Sequence, residues 1–146
     1  MFLGRYEHSL DEKNRVVLPL GLRKDLSPET LARGFVLVAG TRLQFLELHP
    51  MAEWEKHEQT LDSSCPTTLP GAEDYLIDVH WTVVNVELDK QFRFILPDSS
   101  KDLAGIVRDV YFIGMGKKII LYGKERWDER QKERKDFMVP PVLSKG

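Results

Sequence analysis

Leu10-Asp11-Glu12-Lys13-Asn14-Arg15-Val16-Val17-Leu18-Pro19 returns 78 positions later as Leu88-Asp89-Lys90-Gln91-Phe92-Arg93-Phe94-Ile95-Leu96-Pro97. Each copy reads Leu-Asp, three residues, Arg, two apolar residues, then Leu-Pro. A basic-acidic-leucine step follows both, as Arg23-Lys24-Asp25-Leu26 and as Lys101-Asp102-Leu103. The correspondence continues through Phe35 to Val38, Gly40, Leu43 to Leu48 and Trp54 in the first half. In the second it runs through Val110 to Ile113, Gly114, Ile119 to Tyr122 and Trp127. From glycine to tryptophan is 14 residues in one half and 13 in the other, so the chain is an internal duplication.

Each half reads as a strand, a polar turn, a second strand, a short helical segment and a hairpin. Short runs rich in Val, Ile, Phe and Tyr, bounded by Asp, Asn, Gly and Pro, carry that reading. Pro19 and Pro97 end the strands because proline has no N–H for a central ladder. Ser27-Pro28 marks a helix start, with proline at the first helical position. Pro50 to Leu61 has helical composition, with Met51, Trp54 and Leu61 on an apolar side, and Glu73 to Trp81 predicts a helix leading into a strand from Thr82 to Leu88. Gly114-x-Gly116 before Lys117-Lys118 predicts a hairpin turn, because a phosphate cradle needs a strand-to-helix context that is missing here.

The expected organisation is a first repeat over 1–62, a linker over 63–72, a second repeat over 73–136 ending in a charged helix from Glu125, and a mobile tail over 137–146. Neither half, at about 70 residues with short strands, buries its own sheet well by the usual scaling, so the two should fold onto each other about a pseudo-twofold.

The chain has 146 residues, 42% hydrophobic and 30% charged, with 23 acidic against 21 basic groups and a net charge of -2. A chain this long buries roughly 68–70% of its unfolded surface, which requires no cofactor, metal or disulfide for stability. Cys65 is the only cysteine, which excludes an intrachain disulfide and every cysteine-rich zinc site. His8, His49, His57 and His80 are scattered without metal-ligand spacing. Apolar runs fall far short of the roughly 20 residues that span a bilayer, and Gly4, Arg5 and Glu7 interrupt any signal-peptide core, so a cytoplasmic protein is expected. The near-neutral charge does not advertise nucleic-acid binding. If DNA is the partner, cations must be segregated on one face or multiplied by oligomerisation.

The repeated motif supplies that segregation. Asp11 and Asp89 are placed to accept hydrogen bonds from backbone N–H groups just downstream, closing Asx-type turns that aim the arginine that follows. Arg15 and Arg93 then sit at equivalent points of two related halves, with Lys13, Lys90 and Arg5 nearby. The bland reading is a local surface ion pair within each turn, which is worth little. Two copies in register favour a phosphate-binding surface, since guanidinium forks match phosphate oxygens and guanine edges as lysine does not.

The block Met1-Phe2-x-Gly4-x-Tyr6-x-His8-x-Leu10-Asp11-x-Lys13-x-Arg15, the Leu-Pro after it, Glu53-Trp54 and Asp89-x-x-x-Arg93 resemble the MraZ family over residues 1 to about 130. The resemblance implies an α+β fold, mostly β with short helices, in which two AbrB-like swapped-hairpin repeats form a pseudo-twofold β-barrel. It also implies a transcriptional regulator of the bacterial division and cell-wall gene cluster, nucleoid-associated, binding short repeated upstream sites on double-stranded DNA as a ring-shaped homo-oligomer. It brings no cofactor, metal, membrane or small-molecule substrate. Carried over by position, the family's Asp-x-x-x-Arg pairs fall on Asp11 with Arg15 and on Asp89 with Arg93, and its turn lysine on Lys13.

This family usually has glycine before the arginine, where this chain has Asn14 and Phe92. Asn tolerates a left-handed backbone and Phe does so poorly. Gln91 also replaces a possible second-site cation, so the second turn is expected to have changed conformation or lost its DNA contact, and Arg15 to matter more than Arg93. Trp54 and Trp127, at matched positions, are expected at the oligomer interface. Two other readings stay open: an acid-base enzyme using Asp11, Glu12, Glu87, Asp89 or the histidines, for which no nucleophile, P-loop or dinucleotide motif appears, and an AbrB-like antitoxin or other protein-docking module.

Overall fold

Short apolar runs make the strands, alternating in burial over Arg15–Val17 and Arg93–Ile95 and continuously buried over 35–38 and Ile119–Gly123, and helix signals punctuate them. In the computed structural model, which describes residues 1–134 and 137–138, the first repeat runs β1 (Phe2–Ser9), β2 (Arg15–Val17), α1 (Leu20–Arg23), α2 (Pro28–Arg33), β3 (Phe35–Ala39), β4 (Leu46–Pro50) and α3 (Met51–Ser64). After it come α4 (Ala72–Thr82), β5 (Val84–Val86), β6 (Arg93–Ile95), α5 (Asp98–Leu103), β7 (Asp109–Gly116), β8 (Ile119–Gly123) and α6 (Lys124–Glu133). α2 starts where the sequence predicts, with the Ser27 hydroxyl accepting from the Thr30 N–H at 3.1 Å and Pro28 at the first helical position. β7 and β8 form the hairpin expected at Gly116, whose φ of +77° suits the turn. The last helix ends at Glu133, with Arg134 extended, short of the expected Asp136, and nearly all of the predicted tail lies outside the described residues.

The six-stranded sheet has the order β1-β7-β8-β4-β3-β5, all neighbours antiparallel. Strand β1 of the first repeat thus pairs with β7 of the second, and β5 of the second pairs with β3 of the first. Each repeat lends its first strand to the other's hairpin, and the halves meet at β4–β8. Strands β2 and β6, one from each repeat, form a separate two-stranded ribbon. The sheet is open among the described residues, with β1 and β5 at its edges, so the closed barrel is not observed. α3, 14 residues long, and α4, 11 residues long, lie on the two segments that predict helices, and the class is mixed α+β with an antiparallel sheet.

The main core lies between one face of the sheet and the ribbon, where Leu37, Leu48, Phe112 and Leu121 meet Val16, Leu18, Phe94 and Leu96. Burial of such side chains from water is the principal driving force of the fold. A second cluster of Val36, Val38 and Trp54, with Met51, Val79 and Val83 against it, seats α3 and α4 on the opposite face. β3 is therefore buried on both sides, Phe35 and Leu37 on one and Val36 and Val38 on the other, as strand alternation requires.

Candidate nucleic-acid interface

The two Asp-x-x-x-Arg turns flank the ribbon and share one hydrogen-bond plan. In the first, Asp11 Oδ1 accepts from the backbone N–H groups of Lys13 and Arg15, both at 2.8 Å, while Oδ2 accepts from Arg15 Nε at 2.7 Å. In the second, Asp89 Oδ1 accepts from Gln91 at 2.8 Å and Arg93 at 2.9 Å, and Oδ2 accepts from Arg93 Nε at 2.9 Å. The main chain closes both turns in the same way: Asn14 N–H donates to the Asp11 carbonyl and Phe92 N–H to that of Asp89, each at 3.0 Å. The Arg15 N–H, then its guanidinium and the Lys13 N–H, hold the Asp11 carboxyl below the usual carboxylate range, against a contribution from desolvation. The Arg93 N–H leads the same effect on Asp89.

The second turn has not changed conformation. Asn14 and Phe92 both have φ of 59°, the left-handed region. Phenylalanine is costly there, and the opposite repeat braces it: the Arg23 guanidinium lies 4.5 Å from the Phe92 ring centroid while its Nε donates to the Leu18 carbonyl at 2.7 Å. The first turn is braced in polar fashion by the second repeat. Asn14 Nδ2 donates to Asp98 at 2.7 Å, and Lys101 Nζ donates to Asn14 Oδ1 at 3.2 Å. Reciprocal main-chain bonds complete the pattern, Leu18 N–H to the Phe92 carbonyl and Leu96 N–H to that of Asn14, both at 2.8 Å.

In the ribbon, Arg15 pairs with Ile95, Val16 with Phe94, and Val17 with Arg93. Val16 and Phe94 point into the core, so Arg15, Val17, Arg93 and Ile95 form the outward face. Neither guanidinium is sealed in: the Arg15 and Arg93 side chains are 32% and 28% exposed. The aspartates engage only Nε, which leaves both terminal nitrogens of each arginine unengaged among the described residues. The local ion pair and the outward-facing cation are therefore the same arrangement, with the carboxylate setting the direction of the fork.

Lys13 and Lys90 are exposed on their turns. Arg5 stands on β1 opposite Ile113, in the large sheet rather than in the ribbon. Sequence reasoning missed Lys101 and Arg108, which line an open cleft of about 690 Å³ with Lys13, Arg15 and the acidic Asp11 and Glu12. It also missed Ile95, 60% exposed beside Arg15, although strict alternation from the buried Phe94 signals it. Of the matched tryptophans, Trp54 is 6% exposed within its own chain and offers little surface to another. Trp127 packs against Tyr111 and Tyr122, with Arg130 over its ring. The most exposed tryptophan is Trp81, one helical turn beyond the exposed Ile77.

No group of three or more His, Cys, Asp or Glu side chains that could hold a metal ion occurs among the described residues. Nor is any described helix long and apolar enough to cross a membrane.

A family model described as "MraZ protein, putative antitoxin-like" matches residues 1–74 and 82–140. A protein of Clostridium beijerinckii named "Transcriptional regulator MraZ" is 34% identical over 137 residues, covering 94% of this chain and 92% of that one. A protein of the same name from Syntrophomonas wolfei is 34% identical over 130 residues, covering 88% and 85%. A third, from Lactobacillus delbrueckii subsp. bulgaricus, is 32% identical over 133 residues, covering 91% and 88%.

Proposed function

Given that the chain belongs to the MraZ family, we propose that it is a non-enzymatic transcriptional regulator that grips double-stranded DNA with the outward face of the β2–β6 ribbon. One observation carries the reading: two guanidinium groups, each aimed by its own aspartate, stand on the same face of a two-stranded ribbon with their terminal nitrogens unengaged among the described residues. A two-stranded ribbon is one of the elements the major groove of B-DNA admits, and arginine forks suit both phosphates and guanine edges. The exchange of first strands between repeats supports an AbrB-type swapped-hairpin unit, with repeats over 1–62 and 73–136.

On this reading Arg15, Arg93, Lys13 and Lys90 contact DNA, Arg5 extends the surface, and Asp11, Asp89 and Asn14 organise the turns. One ribbon makes few phosphate contacts, so binding by a single copy is weak and salt-sensitive. A ring-shaped homo-oligomer presenting several ribbons to repeated sites gains affinity through effective concentration. The exposed Ile77 and Trp81 of α4 are apolar surface that such an assembly would cover, with Trp127 as a further contact. The proposed target is the chain's own upstream region in a division and cell-wall gene cluster, which places the protein at the nucleoid.

The test is a gel-shift titration with a duplex from upstream of the chain's own gene at two salt concentrations. Saturable shifts that weaken with salt are expected. No shift at either concentration refutes the proposal and favours the protein-docking alternative suggested by the antitoxin-like description of the family model.

A further inference from the structure

We infer that Ile95 and Val17 read thymine methyl groups in the major groove, a reading that rests on the DNA-binding function proposed above. The outward face of the ribbon is a four-residue square. Arg15 stands opposite Ile95 and Val17 opposite Arg93, so the arginines occupy one diagonal and the aliphatic side chains the other. Directly opposed residues of an antiparallel pair have their Cβ atoms roughly 4.5–5.5 Å apart, which sets each aliphatic group beside a guanidinium.

A single exposed isoleucine on a protein surface is ordinary. Its position here is not explained by the core. Phe94, the preceding residue, fills the interior, while Ile95 projects away from it at 60% exposure. Packing of the main core therefore sets no requirement for a branched aliphatic at position 95. Val17 is its pseudo-twofold companion in the square and is partly covered.

The unengaged Nη nitrogens on either side identify the occupant by charge: it must carry acceptors for arginine and apolar surface between them. The major groove offers both. Guanine presents two acceptors to an arginine fork, and thymine alone presents a methyl group. Arginine supplies the hydrogen-bonded part of the recognition, and Ile95 and Val17 supply the methyl contacts. A second copy of this chain is the rival occupant; Asp11, Glu12 and Asp89 offset three of the four cations Lys13, Lys90, Arg15 and Arg93, and the positive excess that remains argues against pairing this face with itself.

The experiment uses the full chain and one upstream duplex copied twice, once with thymine and once with uracil throughout, which deletes every methyl and leaves the hydrogen-bonding edges intact. Wild type is expected to bind the thymine duplex more tightly by about fourfold for each methyl buried. Ile95→Ala should lose affinity on the thymine duplex and most of the thymine-over-uracil preference, Val17→Ala a smaller share, and Ile95→Val should keep part of both.

Equal binding of both duplexes by wild type overturns the methyl reading while leaving DNA binding intact. A preference that survives unchanged in both alanine variants also overturns it, because the methyls are then read elsewhere. A fall in assembly mass in Ile95→Ala, with the preference retained, assigns the face to a second copy instead. Failure of wild type to bind either duplex refutes the proposed function itself.

Discussion

Replacing Arg15 by alanine removes one fork from the ribbon and leaves its scaffold. Among the described residues the guanidinium bonds only the Asp11 carboxylate, whereas the hydrogen bonds to Asp11 Oδ1 are donated by the main-chain N–H groups of Lys13 and Arg15 and survive the substitution. The turn should hold, and the thermal midpoint should move little, as for other surface pairs. DNA affinity should fall sharply. The four cations Lys13, Arg15, Lys90 and Arg93, at one phosphate each, give a log–log salt slope of about −3.6 per engaged ribbon. Between about 50 and 200 mM salt that slope weakens wild type roughly 150-fold, against roughly 40-fold for the variant, whose slope shrinks by about 0.9. The assay is a fluorescence-anisotropy titration at four salt concentrations.

Because both turns share one hydrogen-bond plan and one left-handed φ, Arg93→Ala should match Arg15→Ala in slope change and within about threefold in affinity, each fork being one phosphate contact. The reading of Arg93 as the lesser partner, drawn from Phe92 and from Gln91 in place of a second-turn cation, predicts a clearly smaller loss. A folded Arg15→Ala protein with wild-type affinity and slope would refute the assignment of the ribbon altogether.

His80 Nδ1 faces the Leu76 carbonyl and Nε2 the Glu58 carboxylate, both at 2.7 Å, and both acceptors favour the imidazolium. The Leu76 carbonyl first, then Glu58 and Asp62, raise its pKa above the ordinary value, against desolvation. A raised folded pKa means the stabilisation of the α3–α4 contact is complete below about pH 6.5 and is lost as pH rises through the folded value. Thermal melts from mildly acid to mildly alkaline pH should show this loss in wild type and not in His80→Gln, and an NMR titration putting His80 at or below its ordinary pKa would contradict it. Gly114→Ala should destabilise by roughly 1–3 kcal/mol in urea melts, because its Cβ would lie 2.6 Å from main-chain atoms of Phe2 and Leu3 and push β1 off β7. Phe94→Ala should cost about 3–5 kcal/mol in the same assay, since the ring is 1% exposed and joins ribbon to sheet; a loss below 1 kcal/mol would mean that the ribbon is not anchored there.

Much of the site was legible because its chemistry is local. An aspartate four residues before an arginine closes its own turn with its own main chain, so two copies of the spacing sufficed to locate both turns and both forks. Asn14 was likewise readable, since its preference for positive φ belongs to the residue itself. Phe92 misled for the same reason: local preference disfavours the left-handed backbone, and the brace that holds it comes from Arg23, far away in the chain. Trp54 and Trp127 matched in sequence yet differ in surroundings, because α3 lies against β3 and α4, whereas Trp127 rests on Tyr111 and Tyr122.

By itself the sequence determined the duplication, the two Asx turns, the helix starts and the family. Only the tertiary structure decided that each repeat's first strand crosses to the other repeat, that β2 and β6 form one ribbon, and that Ile95 stands beside Arg15. A repeated motif states what each half contains but not which half a strand pairs with. That choice, and the register that goes with it, is settled by which arrangement buries Val16, Phe94 and the inner face of the sheet together.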